Sequence, residues 1–102
     1  MAGRRLNLQT LLEGILGSEE VHFQAPESGK MHYPAIVYSL AGIDNKHANN
    51  EVYKQSRSYE ITVIDYDPDS EIVNKVSLLP NCKYNRHFKS DGLNHYVFTI
   101  NY

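Results

Sequence analysis

The sequence has little of what covalent frameworks and membrane spans require. Its 102 residues include one cysteine, Cys82, and no tryptophan. A lone cysteine excludes a disulfide within the chain and a zinc site built from several thiolates. No apolar run approaches the roughly 20 residues needed to cross a bilayer, and nothing resembles a signal peptide. We therefore expect a soluble protein made in a cytoplasm, with no membrane partner.

The sequence also lacks a large excess of basic or acidic residues and a recognisable catalytic motif. The net charge is −2, from 10 basic and 12 acidic residues, and the basic residues are scattered rather than gathered in a stripe. Binding to nucleic acid through a general charge footprint is therefore not expected. The sequence contains no glycine-rich phosphate loop and no nucleophile elbow. We expect neither an enzyme nor a cofactor.

What is present is the composition of one globular domain spanning residues 1–102. Hydrophobic residues make up 41% of the chain, which excludes a disordered protein. Eight tyrosines and three phenylalanines supply most of the aromatic surface. Such rings suit half-buried strand faces and subunit interfaces alike.

The most informative stretch is the strand-to-helix junction in residues 59–72. Ile61, Val63 and their neighbours are β-branched and favour a pleated strand. Asp67 is predicted to cap the following helix, with Pro68 at its first position, where a missing N–H costs nothing.

Periodicity and turn residues predict the remaining elements. Helices are expected over residues 6–16 and 68–79, and strands over 21–25, 33–40, 57–66, 82–88 and 94–102. The apolar stripe of the first helix includes Leu11, and Gly17 is predicted to end that helix. Turns are expected at residues 26–30 and 89–93, and Tyr102 is expected to share one face of the last strand with Tyr96. The order is α-β-β-β-α-β-β. It predicts an α+β fold, an antiparallel sheet of four to five strands with both helices packed on one face.

Residues 41–56 are polar, rich in asparagine and without periodicity, so we predict a long hairpin loop between the second and third strands. Loops of this length are usually functional or mobile. The functional interpretation is a segment that a partner orders, and a flexible insertion is the alternative. The predicted interface residues are Asp44, Lys46, His47, Asn50, Glu51, Lys54 and Arg57.

Three clusters could carry chemistry, and for each a structural role is favoured. Asp44 and His47 are the only pair near metal-ligand spacing, which is too little for a metal site. The second cluster lies at the strand-to-helix junction and is assigned to helix capping, because its spacing does not match a calcium-binding loop; it comprises Asp65, Asp67, Asp69 and Glu71. Cys82 and His87 are an odd number of positions apart on one strand, so they are expected to face opposite ways.

In several segments the chain resembles the small tail-completion or tail-terminator proteins of long-tailed bacteriophages. The segments that carry the resemblance are LQTLLEGILG (8–17), VHFQAPES (21–28), YPAIVY (33–38), TVIDYDPDS (62–70), LPNC (79–82) and DGLNHYVF (91–98). Together they cover most of the chain in order, and none is a catalytic signature.

The resemblance implies a virion structural protein and an α+β sandwich of a sheet and two helices. Such proteins form a homo-oligomeric ring, commonly of six subunits, that ends the tail tube and presents a surface to the head connector. The implied partners are other copies of the chain, the tail tube protein and the head-completion or connector protein. DNA passes through the lumen without specific binding, and the chain resides in the virion after assembly in the host cytoplasm.

Three alternatives remain open from the sequence. The first is a head-side neck protein, either a stopper or an adaptor. The second is a small metal-dependent hydrolase that uses Asp44, His47 and the acidic cluster. The third is a monomeric module that binds a peptide by adding a strand to its sheet edge.

Overall fold

The computed structural model describes residues 2–17, 20–24, 32–48 and 51–102. Within these ranges the chain forms two helices and five strands in the predicted order. The elements are α1 (Ala2–Leu16), β1 (Val21–Phe23), β2 (Ala35–Ala48), β3 (Glu51–Asp65), α2 (Glu71–Ser77), β4 (Cys82–Ser90) and β5 (Leu93–Asn101). The predicted turn at residues 26–30 lies outside the described residues.

The strands form one sheet in the order β1-β2-β3-β5-β4, and the predicted α+β class is confirmed. The pairs β2–β3, β3–β5 and β4–β5 are antiparallel. β1, however, runs parallel to β2, with Val21 opposite Ile36. The sheet is therefore mixed rather than wholly antiparallel, because a parallel pair requires a crossover connection instead of a tight hairpin.

The core lies between the helices and one face of the sheet, which we call the helix face. Leu8 and Leu12 of α1 are fully buried, as is Val76 of α2. They pack with the strand residues Val21, Ile36, Tyr38, Tyr59, Ile61, Val63, Tyr96, Phe98 and Ile100. Alternate residues of β2, β3 and β5 thus point at the helices, as the period of two in a strand requires.

A polar network fixes α1 to the sheet at the edge of this core. The Tyr38 hydroxyl donates to Gln9 Oε1 at 2.5 Å, and Gln9 Nε2 donates to the carbonyl of Val21 at 2.8 Å. The Arg5 guanidinium carbon lies 4.6 Å from the centre of the Phe23 ring. Because these bonds join α1 to both β1 and β2, they set the position of the helix along the sheet.

The ends of α1 follow from its residues. The predicted stop is confirmed, since Gly17 has φ of +79° and its N–H bonds to Glu13 O at 2.8 Å. The helix begins at Ala2, earlier than predicted. Alanine and arginine in this first turn are strong helix formers, so the helix extends beyond its apolar stripe.

The prediction of a loop is wrong, because residues 41–48 and 51–56 are strand residues. β2 and β3 pair from Ala35↔Ile64 to Ala48↔Glu51, with register shifts after Leu40 and after Lys46, so these residues form a two-stranded ribbon. None of the described side chains in residues 41–56 is buried in the core, and the sequence there lacks the alternation by which strands are recognised. The strands of the ribbon are recognised by the pairing of their backbones and not by a pattern of apolar residues.

The predicted cap and start of α2 are also wrong. The N-cap is Ser70 rather than Asp67, and no side-chain cap bond forms there. Asp65 Oδ1 accepts the Asp67 N–H at 3.1 Å and Asp67 Oδ1 accepts the Asp69 N–H at 2.9 Å. Aspartates bond readily to the backbone two residues on, and these turns delay the helix by one turn.

The predicted β4–β5 hairpin turn is confirmed. Asp91 and Gly92 have φ of 53° and 77°, as a type I′ turn requires. The turn joins Ser90 directly to Leu93, which are paired.

We expect Tyr38→Phe to lower the free energy of unfolding by about 1 kcal/mol, because Gln9 would lose a hydrogen bond in a part-buried site. Chemical denaturation followed by circular dichroism measures this. Tyr84→Phe is the matched control, since the Tyr84 side chain is 60% exposed, and it should change stability by less than about 0.5 kcal/mol. Equal effects of the two variants would contradict the role assigned to the Tyr38 hydroxyl.

Candidate functional site

The most distinctive feature of the fold is that its longest hairpin leaves the sheet. β5 pairs with β3 only from Ser58 onward, and β1 pairs with β2 only at residues 36–38. Residues 42–48 and 51–57 therefore form a two-stranded ribbon with no further strand beside it in the described part of the chain. We call this ribbon the arm. The molecule measures 52 × 25 × 22 Å, consistent with an extended projection.

The structure places the predicted interface residues on this arm. Asp44, Lys46 and Glu51 are exposed, and Arg57 is half-buried at the base. His47 and Lys54 belong to the strands, but their side chains lie outside the described part. Asn50 lies outside the described residues altogether.

A β-bulge turns the arm relative to the sheet. The pairing steps from Leu40↔Tyr59 to Gly42↔Ser58, which leaves Ala41 as an extra residue in β2. Ile43 therefore stands opposite Arg57, on the same face as Leu40 and Tyr59. The side chains of Leu40 and Ile43 are 43% and 48% exposed. The helix face thus continues onto the arm as an uncovered apolar strip.

A groove of about 670 Å³ lies at the base of the arm on this face. Its walls come from α1, from the start of β3, from the segment after α2 and from the end of β5. The lining residues are Leu11, Gln55, Ser56, Arg57, Leu79, Pro80, Asn81, Ile100, Asn101 and Tyr102. The walls are largely apolar, and Arg57 is the one charged residue among them.

Hydrogen bonds hold the groove's polar edge in place. The Tyr102 N–H donates to Arg57 O at 3.0 Å, Arg57 Nε donates to Gln55 Oε1 at 3.1 Å, and Gln55 Nε2 donates to Asn45 Oδ1 at 3.0 Å. The guanidinium is thereby positioned by the arm itself. In the described residues no carboxylate lies within ion-pair distance of it.

Sequence reasoning identified Arg57 but missed the apolar residues around it. Leu11 was assigned to the buried stripe of α1, yet it is exposed at the groove. Tyr102 was predicted to share one face of the last strand with Tyr96, Phe98 and Ile100, all three of which are buried, whereas Tyr102 is exposed. Periodicity finds which residues share a face, but it does not show where the covering layer ends.

The acidic cluster lies at the opposite end of β3 from the arm. Asp65 is buried, whereas Asp67, Asp69 and Glu71 are exposed. Its structural role differs from the predicted cap, because two aspartates close successive turns. Among the described residues no group of three or more His, Cys, Asp or Glu is arranged to hold a metal ion.

Cys82 and His87 lie on the same face of the sheet, contrary to prediction. Cys82 is opposite Ile100 and His87 is opposite Tyr96, with a bulge at residue 85 between them. The extra residue reverses the alternation that predicted opposite faces. Their partners are four residues apart on β5, roughly 13 Å along the strand, so the thiol and the imidazole do not meet.

Cys82 behaves as a structural residue. It is half-buried and packs against the core, and burial raises the pKa of its thiol. A thiol in that environment is a poor nucleophile because little of it is ionised near neutral pH.

Comparison with known proteins adds no family to these observations. No family model matches the chain, and a search of the curated proteins finds no match. None of the described helices is long and apolar enough to cross a membrane. The functional interpretation rests on the arm, the groove and the resemblance described above.

We expect Cys82 to react slowly with a thiol reagent in the native protein. Burial raises the pKa of the thiol, so at any given pH a smaller fraction is ionised than in a free cysteine, and the reaction rate should rise at higher pH. Absorbance of the released reagent anion over a pH series measures this, with the protein unfolded in guanidinium chloride as the control. Equal rates for native and unfolded protein would contradict the assignment.

Proposed function

We propose that the chain is a tail-terminator subunit of a long-tailed bacteriophage. In this proposal several copies form a ring, commonly of six subunits, that ends the tail tube and joins it to the head connector. The ring acts through shape and contact, without transforming a substrate. The proposal draws on the segment resemblance and, in the structure, above all on the arm.

The arm supports an assembly role because it is poorly stabilised within one subunit. A two-stranded hairpin in water is marginally stable by itself, and the arm has a neighbouring strand on neither side in the described part of the chain. The apolar strip that runs from Leu40 at the end of the sheet to Ile43 in the arm is also uncovered. A neighbouring protein that packs on this strip would bury apolar surface and order the ribbon.

The arm also supplies what a ring requires geometrically. Subunits in a ring contact one another through two different patches, which makes the interface heterologous. The arm and the groove lie at one end of β3. The exposed acidic residues that follow Asp65 lie at the other end. Distinct patches on one chain permit a closed cyclic assembly.

Electron microscopy of virus particles that lack this protein tests the proposal. We expect overlong tails, or tails not joined to heads, since nothing would stop tube polymerisation or complete the joint. Normal tails attached to heads would contradict it. Cross-linking of the assembled particle separates the tail-side role from a stopper or adaptor, because the tail-side role requires contact with the tube protein.

The arm's part in this function has its own test. Ile43→Lys should leave circular dichroism and thermal stability nearly unchanged, because the side chain is 48% exposed. It should nevertheless reduce the yield of joined particles by about tenfold or more in complementation, because a charge would enter an apolar contact. Asn74→Lys on the exposed surface of α2 is the control and should complement normally. Full complementation by Ile43→Lys would exclude the arm from the interface.

A further inference from the structure

The groove at the base of the arm has the form of a binding site for a peptide segment. At about 670 Å³ it falls within the range of roughly 300–1,000 Å³ that is typical of ligand sites. Leu11, Leu79 and Pro80 form an apolar wall, and Tyr102 adds an aromatic ring. A partner that fills it should therefore carry a large apolar or aromatic side chain.

The positive charge of Arg57 indicates that this partner is negatively charged. The Arg57 side chain is half-buried. Its Nε–H donates a hydrogen bond to Gln55 Oε1, and no carboxylate in the described residues forms an ion pair with its guanidinium. A planar guanidinium in a partly desolvated site favours a carboxylate, which it can bind through two parallel hydrogen bonds. The expected occupant is therefore an acidic segment with an aromatic anchor.

The chain itself presents such a segment in residues 66–71, which we call the acidic knob. The Tyr66 side chain is 65% exposed, and Asp67, Asp69 and Glu71 beside it are exposed too. In the described residues none of these carboxylates has an ion-pair partner.

The knob is held in a defined shape before any partner binds. The turns closed by Asp65 and Asp67 fix the backbone, and the Tyr66 ring stands edge-on to Tyr33 at 5.8 Å. Preorganisation of this kind reduces the entropy lost on association.

Knob and groove cannot meet within one molecule. Arg57 stands where β3 enters the sheet from the arm, and the knob follows Asp65, where β3 ends. Seven residues of extended strand separate Arg57 from Asp65, which holds the two sites over roughly 20 Å apart. Any contact between them must join two copies of the chain.

We propose that the groove at the base of the arm binds the acidic knob of a second copy, with Tyr66 in the apolar groove and the knob carboxylates on Arg57. The inference rests on the proposed function, because it identifies the contact between neighbouring subunits of the ring. The contact is heterologous, so each subunit gives a knob to one neighbour and a groove to the other. It repeats around the assembly until the ring closes.

Two charge-reversed forms of the full chain test this proposal. Arg57→Glu reverses the groove, and the double variant Asp69→Lys/Glu71→Lys reverses the knob while leaving the turns closed by Asp65 and Asp67 intact. Lys83→Glu is the control, since Lys83 is exposed on β4 and lies outside the groove. Circular dichroism establishes that each form is folded, and sedimentation velocity over a concentration series measures self-association.

We expect the wild-type chain and Lys83→Glu to self-associate equally. Each reversed form alone should associate at least tenfold more weakly, because like charges then face each other in every contact. An equimolar mixture of the two reversed forms should regain wild-type association. In an alternating ring of even number, every acidic groove meets a basic knob and every basic groove meets an acidic knob.

Three results would overturn the proposal. One is a wild-type chain that stays monomeric at all concentrations up to about 1 mM, the weak end of measurable affinities. Another is a mixture that associates no better than its components. The third is loss of association with Arg57→Glu but not with the knob variant, which would assign the groove to a different occupant. None of these depends on tail morphology, so failure of this contact is distinguishable from failure of the proposed function.

Discussion

The fold is held together by the burial of Leu8, Leu12 and Val76 against one face of the sheet. These three side chains are fully buried and the core strand residues opposite them are less than 10% exposed, and burial of apolar area is the main favourable term in folding. α1 packs against β1 and β2, and α2 packs against β4. At one end of the sheet β2 and β3 continue into the arm, past Ser58, the first residue of β3 that pairs with β5. The groove and the arm lie at this end of the sheet.

β3 connects this core to the arm at one end and to the acidic knob at the other. It runs from Glu51 in the arm to Asp65 beside the acidic knob, and its central residues Ile61 and Val63 are fully buried. The rigid core portion therefore holds the groove and the knob at a set separation. A fixed separation between two complementary patches is what an assembly of defined curvature needs, because flexible placement would allow rings of several sizes.

The β-bulges at Ala41 and at residue 85 change which side chains lie on the helix face of the sheet. The extra residue at Ala41 brings Ile43 to the helix face of the arm, and the one at residue 85 brings His87 over Tyr96, with ring centres 4.5 Å apart. Each bulge reverses the alternation of the side chains that follow it. In the arm this shift places Ile43 on the helix face, where an unbroken alternation would place Gly42 and Asp44.

The α+β class, the order of elements and most of the core follow from local sequence patterns, because buried strands and helices carry periodic apolar residues such as Tyr96, Phe98 and Ile100. The Asp91-Gly92 turn follows from them too, because few residues tolerate its positive φ values. The parallel β1–β2 pair, the arm and the groove around Arg57 emerge only from the packing of the folded chain. A ribbon that buries no face has no periodic signal, and a groove exists only where separate elements stop covering one another, which is a property of their arrangement in space and not of any local pattern.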